Sequence, residues 1–478
     1  TYEKYADHTL NDLSYKCYIA IKTDMRTKLS ERWFERHYAL DEGRGETGSR
    51  WVLELLECIA KNGGSVVVSY GLKRNEAVAK ANDVFENKNH IKKMKQKYSN
   101  SLCAHSLKLS KTDDCALQCA LVRFDELIQD VHGVNGIYAG LPWFFHYWAR
   151  DEAIASIGLI KEEYYGLAKK ILLRWLNTAT DGRIANRFPG ADLGSADATG
   201  WLFFRIKQLL ETLGEKNLLE KYFSKTELYY IFKEAINRLG HIEEEYLRDG
   251  LIFNKPLETW MDTGAEVGDV RSGFRIEIQA LHAAIYDCVI AVGGLLNEDI
   301  SAFDEKKQAF LRRVKERFYH NGMLRDGLYD DTIRPNLFIA AYVAPGLLEK
   351  KEWVACLQSA LKQLYVPYDD TCGGVLTIPQ DNYLFRDVHT GINNHSYHRG
   401  DVWYWLNCLS AVVLQRFGKM KFRTHIAALK QPAVKALLWQ GAAASLAEIS
   451  SASKLSSEGC LSQAWSYALL IELFMEKR

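Results

Sequence analysis

The chain has 478 residues, 47% hydrophobic and 25% charged, and its 61 basic and 60 acidic side chains leave a net charge of +1. That length allows two or three domains with a large buried core and excludes a disordered chain. A charge so close to zero supplies no field for nucleic acid or an anionic membrane surface, so the partner expected is neutral.

Twelve tryptophans, 25 tyrosines and 20 phenylalanines supply many flat apolar faces with polar edges, which fill cores and also make platforms for sugars. With only 8 prolines, long stretches are free to be helical. The 10 cysteines are scattered without a CxxC pair and read as free thiols of a cytoplasmic protein. Residues 1–10 are charged rather than apolar, and the most apolar run, Ala280–Asn297, is interrupted by His282 and Asp287, so neither an export signal nor a membrane span is expected.

In chain order, residues 1–105 read as a small α+β, β-rich lead-in. Tyr15–Lys22 and Ser65–Tyr70 are β-branched or aromatic and predict strands, whereas Ser49–Lys61 and Arg74–Tyr98 predict helices. Gly43–Gly48 matches GxGxxG, but the charged segment Arg32–Glu42 before it is no buried parallel strand, so a plain turn is expected. The basic run Ile91–Lys97 reads as the solvated face of a helix.

Residues 106–478 are helical almost throughout. Periodicity predicts helices over Asp113–Val131, Asp151–Ile160, Glu163–Asn177, Asp197–Gly214, Phe274–Val292, Ala302–Tyr319, Lys351–Tyr365, Gly400–Phe417, Ala433–Ile449 and Ser462–Lys477. Several are apolar on most faces, as expected for an inner ring of helices shielded by an outer one, and the region has room for about twelve.

The loops between them collect aromatics, glycines and carboxylates, notably Tyr138–Asp151, Asp181–Trp201, Glu258–Gln279 and His395–Trp405. At one end of a helical ring such loops line one pocket. His389, His395 and His398, with Asp387 and Asp401 near them, raise a metal site, but the spacing has no regular helical pair. Hydrogen bonding to substrate or neighbouring loops is the expected role, and neither a metal nor another cofactor is assigned. Trp143, Trp148, Arg150 and Asp151 read either as core tryptophans beside a helix cap or as a sugar subsite. Glu258, Trp260, Asp262, Arg271 and Glu277 place several acids beside apolar rings, where one carboxyl stays protonated while another stays a base, the chemistry of glycoside cleavage.

Taken together, the segments LPWFFHYWARDEAIASIGL, DGRIANRFPG with SADATGW, ETWMD with RSGFRIEIQAL, SYHRGDVWYW and EGCLSQAWSYALL resemble, in the same order, the C-terminal amylo-α-1,6-glucosidase domain of glycogen debranching enzymes. More distantly the chain is similar to glucoamylases. The resemblance implies a mainly α fold, an (α/α)6 barrel over residues 106–478, and an inverting hydrolase that releases glucose from an α-glucan or oligosaccharide. By the same resemblance Asp262 is the general acid and Glu448 the general base. Should Glu448 prove a surface carboxylate at a helix end, Glu458 and Glu277 are the substitutes for the base. Arg150 and Asp151 grip the terminal glucose, and Trp143, Trp148, Trp260 and Trp403 wall the pocket. Asp197, Arg271, Glu277, His398 and Gln463 stand behind them.

The chain departs from the family pattern at Val402-Trp403-Tyr404-Trp405, where members read VWPW, and after Glu448, where an Asp-Gly turn is replaced by Ile449-Ser450-Ser451. Branch stubs joined by α-1,6 links are the favoured substrate. The alternatives are a glucoamylase-like hydrolase of α-1,4 links, a disaccharide or glucoside hydrolase, and an inactive glycan-binding protein.

Overall fold

The computed structural model describes residues 2–10, 13–38, 42, 47–105, 107–131, 133–178, 182–188, 190, 195–263, 270–369, 371–390 and 395–476, with side chains from residue 18 onward except residue 216. Most of the Gly43–Gly48 turn, and parts of the segments Asp181–Trp201 and Glu258–Gln279, lie outside the described residues. The chain divides into two compact units, Thr1–Ala104 and His105–Arg478.

In the first unit, strands β1 (Tyr2–Leu10), β2 (Leu13–Thr23) and β5 (Val66–Gly71) form an antiparallel sheet in the order β1-β2-β5. Strands β3 (Arg26–His37) and β4 (Ser49–Ile59) form a separate hairpin with Arg26 opposite Ile59 and His37 opposite Ser49. The segment expected to be a helix, Ser49–Lys61, is therefore the strand β4. Its run of Leu, Glu and Val suits either state, and the cross-strand partners Trp33–Leu53 and Phe34–Val52 decide for pairing. Helix α1 (Arg74–Glu86) packs Ala77 and Ala81 on Ala20 of β2, and α2 (Lys88–Leu102), which carries the basic run, buries none of its residues.

Twelve α-helices are found among the described residues of the second unit: α3 (Lys111–Leu127), α4 (Ala149–Lys161), α5 (Tyr165–Leu176), α6 (Ala198–Asn217), α7 (Lys225–Tyr246), α8 (Ile276–Leu296), α9 (Ser301–Phe318), α10 (Asn336–Val343), α11 (Lys350–Leu364), α12 (Tyr404–Gly418), α13 (Arg423–Trp439) and α14 (Ala464–Met475). They alternate between two layers. The contacts α4–α6, α6–α8, α8–α10, α10–α12, α12–α14 and α14–α4 close an inner ring, and the other six helices pack outside it.

Composition explains which helix lies where. All eight residues of α10 and every residue of α14 from Ala464 to Phe474 are buried, because protein surrounds them on all sides. In contrast α9 buries only Phe310, Leu311, Val314 and Phe318, one stripe of an amphipathic helix. Helix α8 is apolar and long enough to cross a membrane by composition, yet here it is an inner stave of the ring.

Three expectations of helix placement change. Helices α7 and α10 were not among those expected. Helix α13 runs from Arg423 to Trp439 rather than over Ala433–Ile449, and Gly441, at φ 56°, turns the chain away soon after its end. Glu448 thus lies on a loop, 4% exposed, and not at a helix end on the surface.

Candidate active site

A circuit of contacts joins the starts of the six inner helices, so the loops that lead into them form a single mouth. Arg150 in the first turn of α4 meets Asp197 at the N-cap of α6, its Nε 2.9 Å from each carboxylate oxygen. Ala196 N donates to Glu258 O at 2.8 Å, tying that cap to the loop before α8. Asp326 spans α8 and α10, since its O accepts from Ile276 N at 3.0 Å and its Oδ1 from Asn336 Nδ2 at 2.7 Å. Trp260 then links Asn336, 2.7 Å from its Nε1, to the ring of Trp405 in α12 at 5.2 Å. Trp405 stacks on Trp465 of α14 at 5.1 Å, and Gln463 at the head of α14 reaches Asp151 of α4 at 3.5 Å.

Short strand pairs brace this circuit. Trp148 lies opposite Arg187, Gln463 opposite Gly140, and Trp403 opposite Ile449. The last pair fixes the backbone beside Glu448 on the head of α12. Acidic side chains at or beside helix starts suit this end of the barrel, because the unpaired N–H groups and helix dipoles there favour negative charge.

Asp262, on the loop before α8, receives Arg150 Nη1 at 3.3 Å, and its side chain is 43% exposed. The surrounding protein raises its carboxyl above the usual range by partial desolvation, with Arg150 pulling it down and Asp197 pushing it up. Asp151 is buried beside Arg150 and is pushed up to about 8, first by burial and then by the charges of Glu448 and Asp262, against the pull of Arg150. It therefore carries a proton at neutral pH.

Glu448 has opposite surroundings. Tyr397 donates its hydroxyl hydrogen to Oε1, and Cys460 N donates to Oε2 at 2.9 Å. Both bonds favour the ionised carboxylate. Gly459 makes the second possible: a Cβ there would stand 2.4 Å from Glu448 Oε2, and its φ of +65° is one that side chains resist. Tyr404, where the family pattern has proline, holds the same loop by donating to Ser456 O at 2.7 Å.

The remaining residues singled out from the sequence divide into supports. Arg271 is buried with Nη1 2.6 Å from Glu277 and 2.9 Å from Thr259 Oγ1, and Nη2 2.8 Å from Asp326. This closed ion network occupies Glu277 and lies behind Trp260. His398 stacks on Trp403 with centroids 5.2 Å apart and bonds Thr263 Oγ1 through Nδ1 at 2.8 Å. Burial, aided by nearby arginines, holds its pKa well below the ordinary value, so the ring is neutral. Trp260 and Trp403 are each 2% exposed, whereas Trp143 and Trp148 are half-buried in the approach to α4. Glu458 pairs its backbone with Ile449.

The three histidines do not converge on one point. His389 binds Asp401 through Nδ1 at 2.7 Å, His398 binds Thr263, and among the described residues no group of three or more His, Cys, Asp or Glu side chains is arranged to hold a metal. Tyr397 and Ser195, whose Oγ lies 3.3 Å from Arg150 Nη2, are site residues that sequence reasoning passed over. Each sits within two positions of a residue it did single out, and that adjacency was the available signal.

The fold is similar to that of solved glycoside hydrolases. A bacterial glucoamylase solved with acarbose is 14% identical with a TM-score of 0.65, the match covering 99% of this chain and 74% of that one. The GH63 mannosylglycerate hydrolase of Thermus thermophilus, solved with glucose, is 14% identical with a TM-score of 0.56, covering 75% of this chain and 99% of that one. At such identity these likenesses establish the fold, an (α/α)6 barrel. No curated protein matches by sequence. The family model described as amylo-alpha-1,6-glucosidase matches residues 111–472, and the chain belongs to that family of glycoside hydrolases.

Proposed function

We propose that this chain is an inverting, exo-acting glucosidase that releases glucose from α-glucans, with the α-1,6 branch stubs of glycogen or limit dextrin favoured. Asp262 is the general acid and Glu448 the general base. The observation that carries this reading is the contrast between the two carboxyls at one mouth. One is exposed beside Arg150 with a raised pKa, and the other is buried and accepts hydrogen bonds from Tyr397 and from Cys460 N.

Such a pair supports single displacement. Asp262 gives its proton to the glycosidic oxygen as the bond to the anomeric carbon breaks. Glu448 takes a proton from the water that attacks from the opposite face, so an α-glucoside yields β-glucose. The guanidinium of Arg150 and the protonated carboxyl of Asp151 supply donors for hydroxyls of the terminal glucose, and Trp143 and Trp148 supply apolar faces. Arg271, Glu277 and Asp197 hold these groups in place from behind.

Initial rates on isomalto- and malto-oligosaccharides, with Glu448→Gln as the silenced control, test the proposal. Faster glucose release from the α-1,6 series is expected, falling by about three or more powers of ten in Glu448→Gln while sugar binding survives. A clear preference for the α-1,4 series overturns the linkage, and undiminished hydrolysis by Glu448→Gln removes that residue as base.

A further inference from the structure

Asp262 and Glu448 sit on loops far apart in sequence, one before α8 and the other between α13 and α14. The turn before α12 reaches both loops through three consecutive residues. Tyr397 donates its hydroxyl hydrogen to Glu448 Oε1. The next residue, His398, bonds Thr263 Oγ1 through Nδ1 at 2.8 Å, and Arg399 Nη2 donates to Thr263 O at 2.7 Å. Thr263 directly follows Asp262, so both its hydroxyl and its carbonyl are tied one residue away from that carboxyl.

The turn is itself held from several sides. Arg399 N and Asp401 N donate to Ser396 O at 2.9 and 3.0 Å, and Arg386 N donates to Arg399 O at 2.7 Å. Arg334, from the loop before α10, donates to His398 O at 2.9 Å, and Gly400 N donates to Thr377 Oγ1 at 2.8 Å. Glycine is required at position 400, because a Cβ there would stand 1.8 Å from Arg386 O. The ring of His398 lies against Trp260 and Trp403, with centroids 5.3 and 5.2 Å away, and His398 and Arg399 are buried. Asp262 is held differently. Its side chain is half-exposed and its contact with Arg150 Nη1 is long, at 3.3 Å, so the anchored backbone at Thr263 decides where the carboxyl can reach.

We propose that Thr263, His398 and Arg399 are positioning residues for Asp262, and that the span Tyr397–Arg399 fixes the distance between the acid and the base. This inference rests on the roles proposed above for Asp262 and Glu448. An inverting pair works at a separation of roughly 6.5–9.5 Å, since a water must fit between the base and the anomeric carbon while the acid reaches the glycosidic oxygen. A misplacement of about 1 Å costs about 100-fold in rate. One braced span of three residues, with the base tied to one end and the neighbour of the acid to the other, keeps that separation when either loop moves.

The test uses the full chain and two substrates that differ in their need for the acid. The leaving oxygen of a disaccharide needs a proton, whereas fluoride leaves α-glucosyl fluoride with little help. The disaccharide is isomaltose or maltose, whichever the parent chain hydrolyses faster. Thr263→Val removes the tied hydroxyl at nearly constant volume, and Thr263→Ser keeps it. With Thr263→Val, kcat on the disaccharide is expected to fall about tenfold or more with KM within about twofold, while kcat on α-glucosyl fluoride stays within about threefold. Thr263→Ser is expected to restore the disaccharide rate to within about threefold of the parent. Equal losses on the two substrates, or no loss on the disaccharide, overturn the positioning role. Asp262→Asn is measured beside these variants. A loss much larger on the disaccharide than on the fluoride keeps Asp262 as the acid whatever Thr263 shows, and equal loss on both removes Asp262 as the acid and the inference with it.

Discussion

Tyr397 donates its hydroxyl hydrogen to Oε1 of Glu448, so the carboxylate proposed to activate water is held by a side chain from the loop before α12. Burial and the Glu448 charge keep the phenol well above its usual pKa, so it stays a donor throughout the working range. A hydrogen bond of this kind favours the charged form of a carboxylate. Tyr397→Phe is therefore expected to move the acidic limb of the kcat/KM profile upward by about one pH unit and to lower kcat about tenfold, with little change in folding. An unmoved acidic limb contradicts this role.

Gly459 tests the same carboxylate from its other side. Gly459→Ala places a methyl group 2.4 Å from Glu448 Oε2 and forces alanine into a φ of +65°. Stability is expected to fall by about 1–2 kcal/mol and kcat by about 10–100-fold, with KM less affected. Separate measurement of kcat and KM distinguishes a displaced base from a general loss of fold.

Arg150 is shared between Asp197 and Asp262, and its loss is expected to act on both. Arg150→Met leaves the buried Asp197 unpaired, costing about 3–5 kcal/mol. It also withdraws the cation that pulls the Asp262 pKa down, so the acid holds its proton to higher pH. The alkaline limb of kcat/KM is expected to shift upward while the rate falls, a pattern that a purely structural arginine does not give.

Asp151 has an inverted stability signature. Its pKa is raised to about 8 in the folded chain from an ordinary value of 3.8, mainly by burial. Between those two values the folded state holds a proton that the unfolded state has lost, so this group's contribution declines as pH rises from about 4 to about 8. Asp151→Asn is expected to stabilise the protein at pH 8 by a few kcal/mol, since each pKa unit corresponds to about 1.4 kcal/mol, and to have little effect near pH 4. Melting curves at the two pH values check this, and activity is expected to fall in the same variant.

Much of the barrel was legible because helical periodicity survives even where helices are buried. The exceptions have physical reasons. Asn336–Val343 is eight buried residues, a run too short and too uniformly apolar to tell from a strand. Lys225–Tyr246 carried a readable signal, the capping box in which Ser224 accepts from Glu227 N while the Glu227 carboxylate accepts from Ser224 N. In β4, pairing with β3 overrode residues that fit a helix equally well. At the mouth, Arg150, Asp151 and Asp197 came from local motifs. What motifs do not carry is adjacency across the chain: Tyr397 on Glu448 spans 51 positions, and Arg150 on Asp262 spans 112.

Single displacement by Asp262 and Glu448 determines which anomer of glucose is released first. Proton NMR during early hydrolysis of an α-glucoside is predicted to show β-glucose appearing ahead of mutarotation, with the signal abolished in Glu448→Gln. Initial release of α-glucose rules out single displacement, because retention requires a covalent nucleophile in place of a water-activating base.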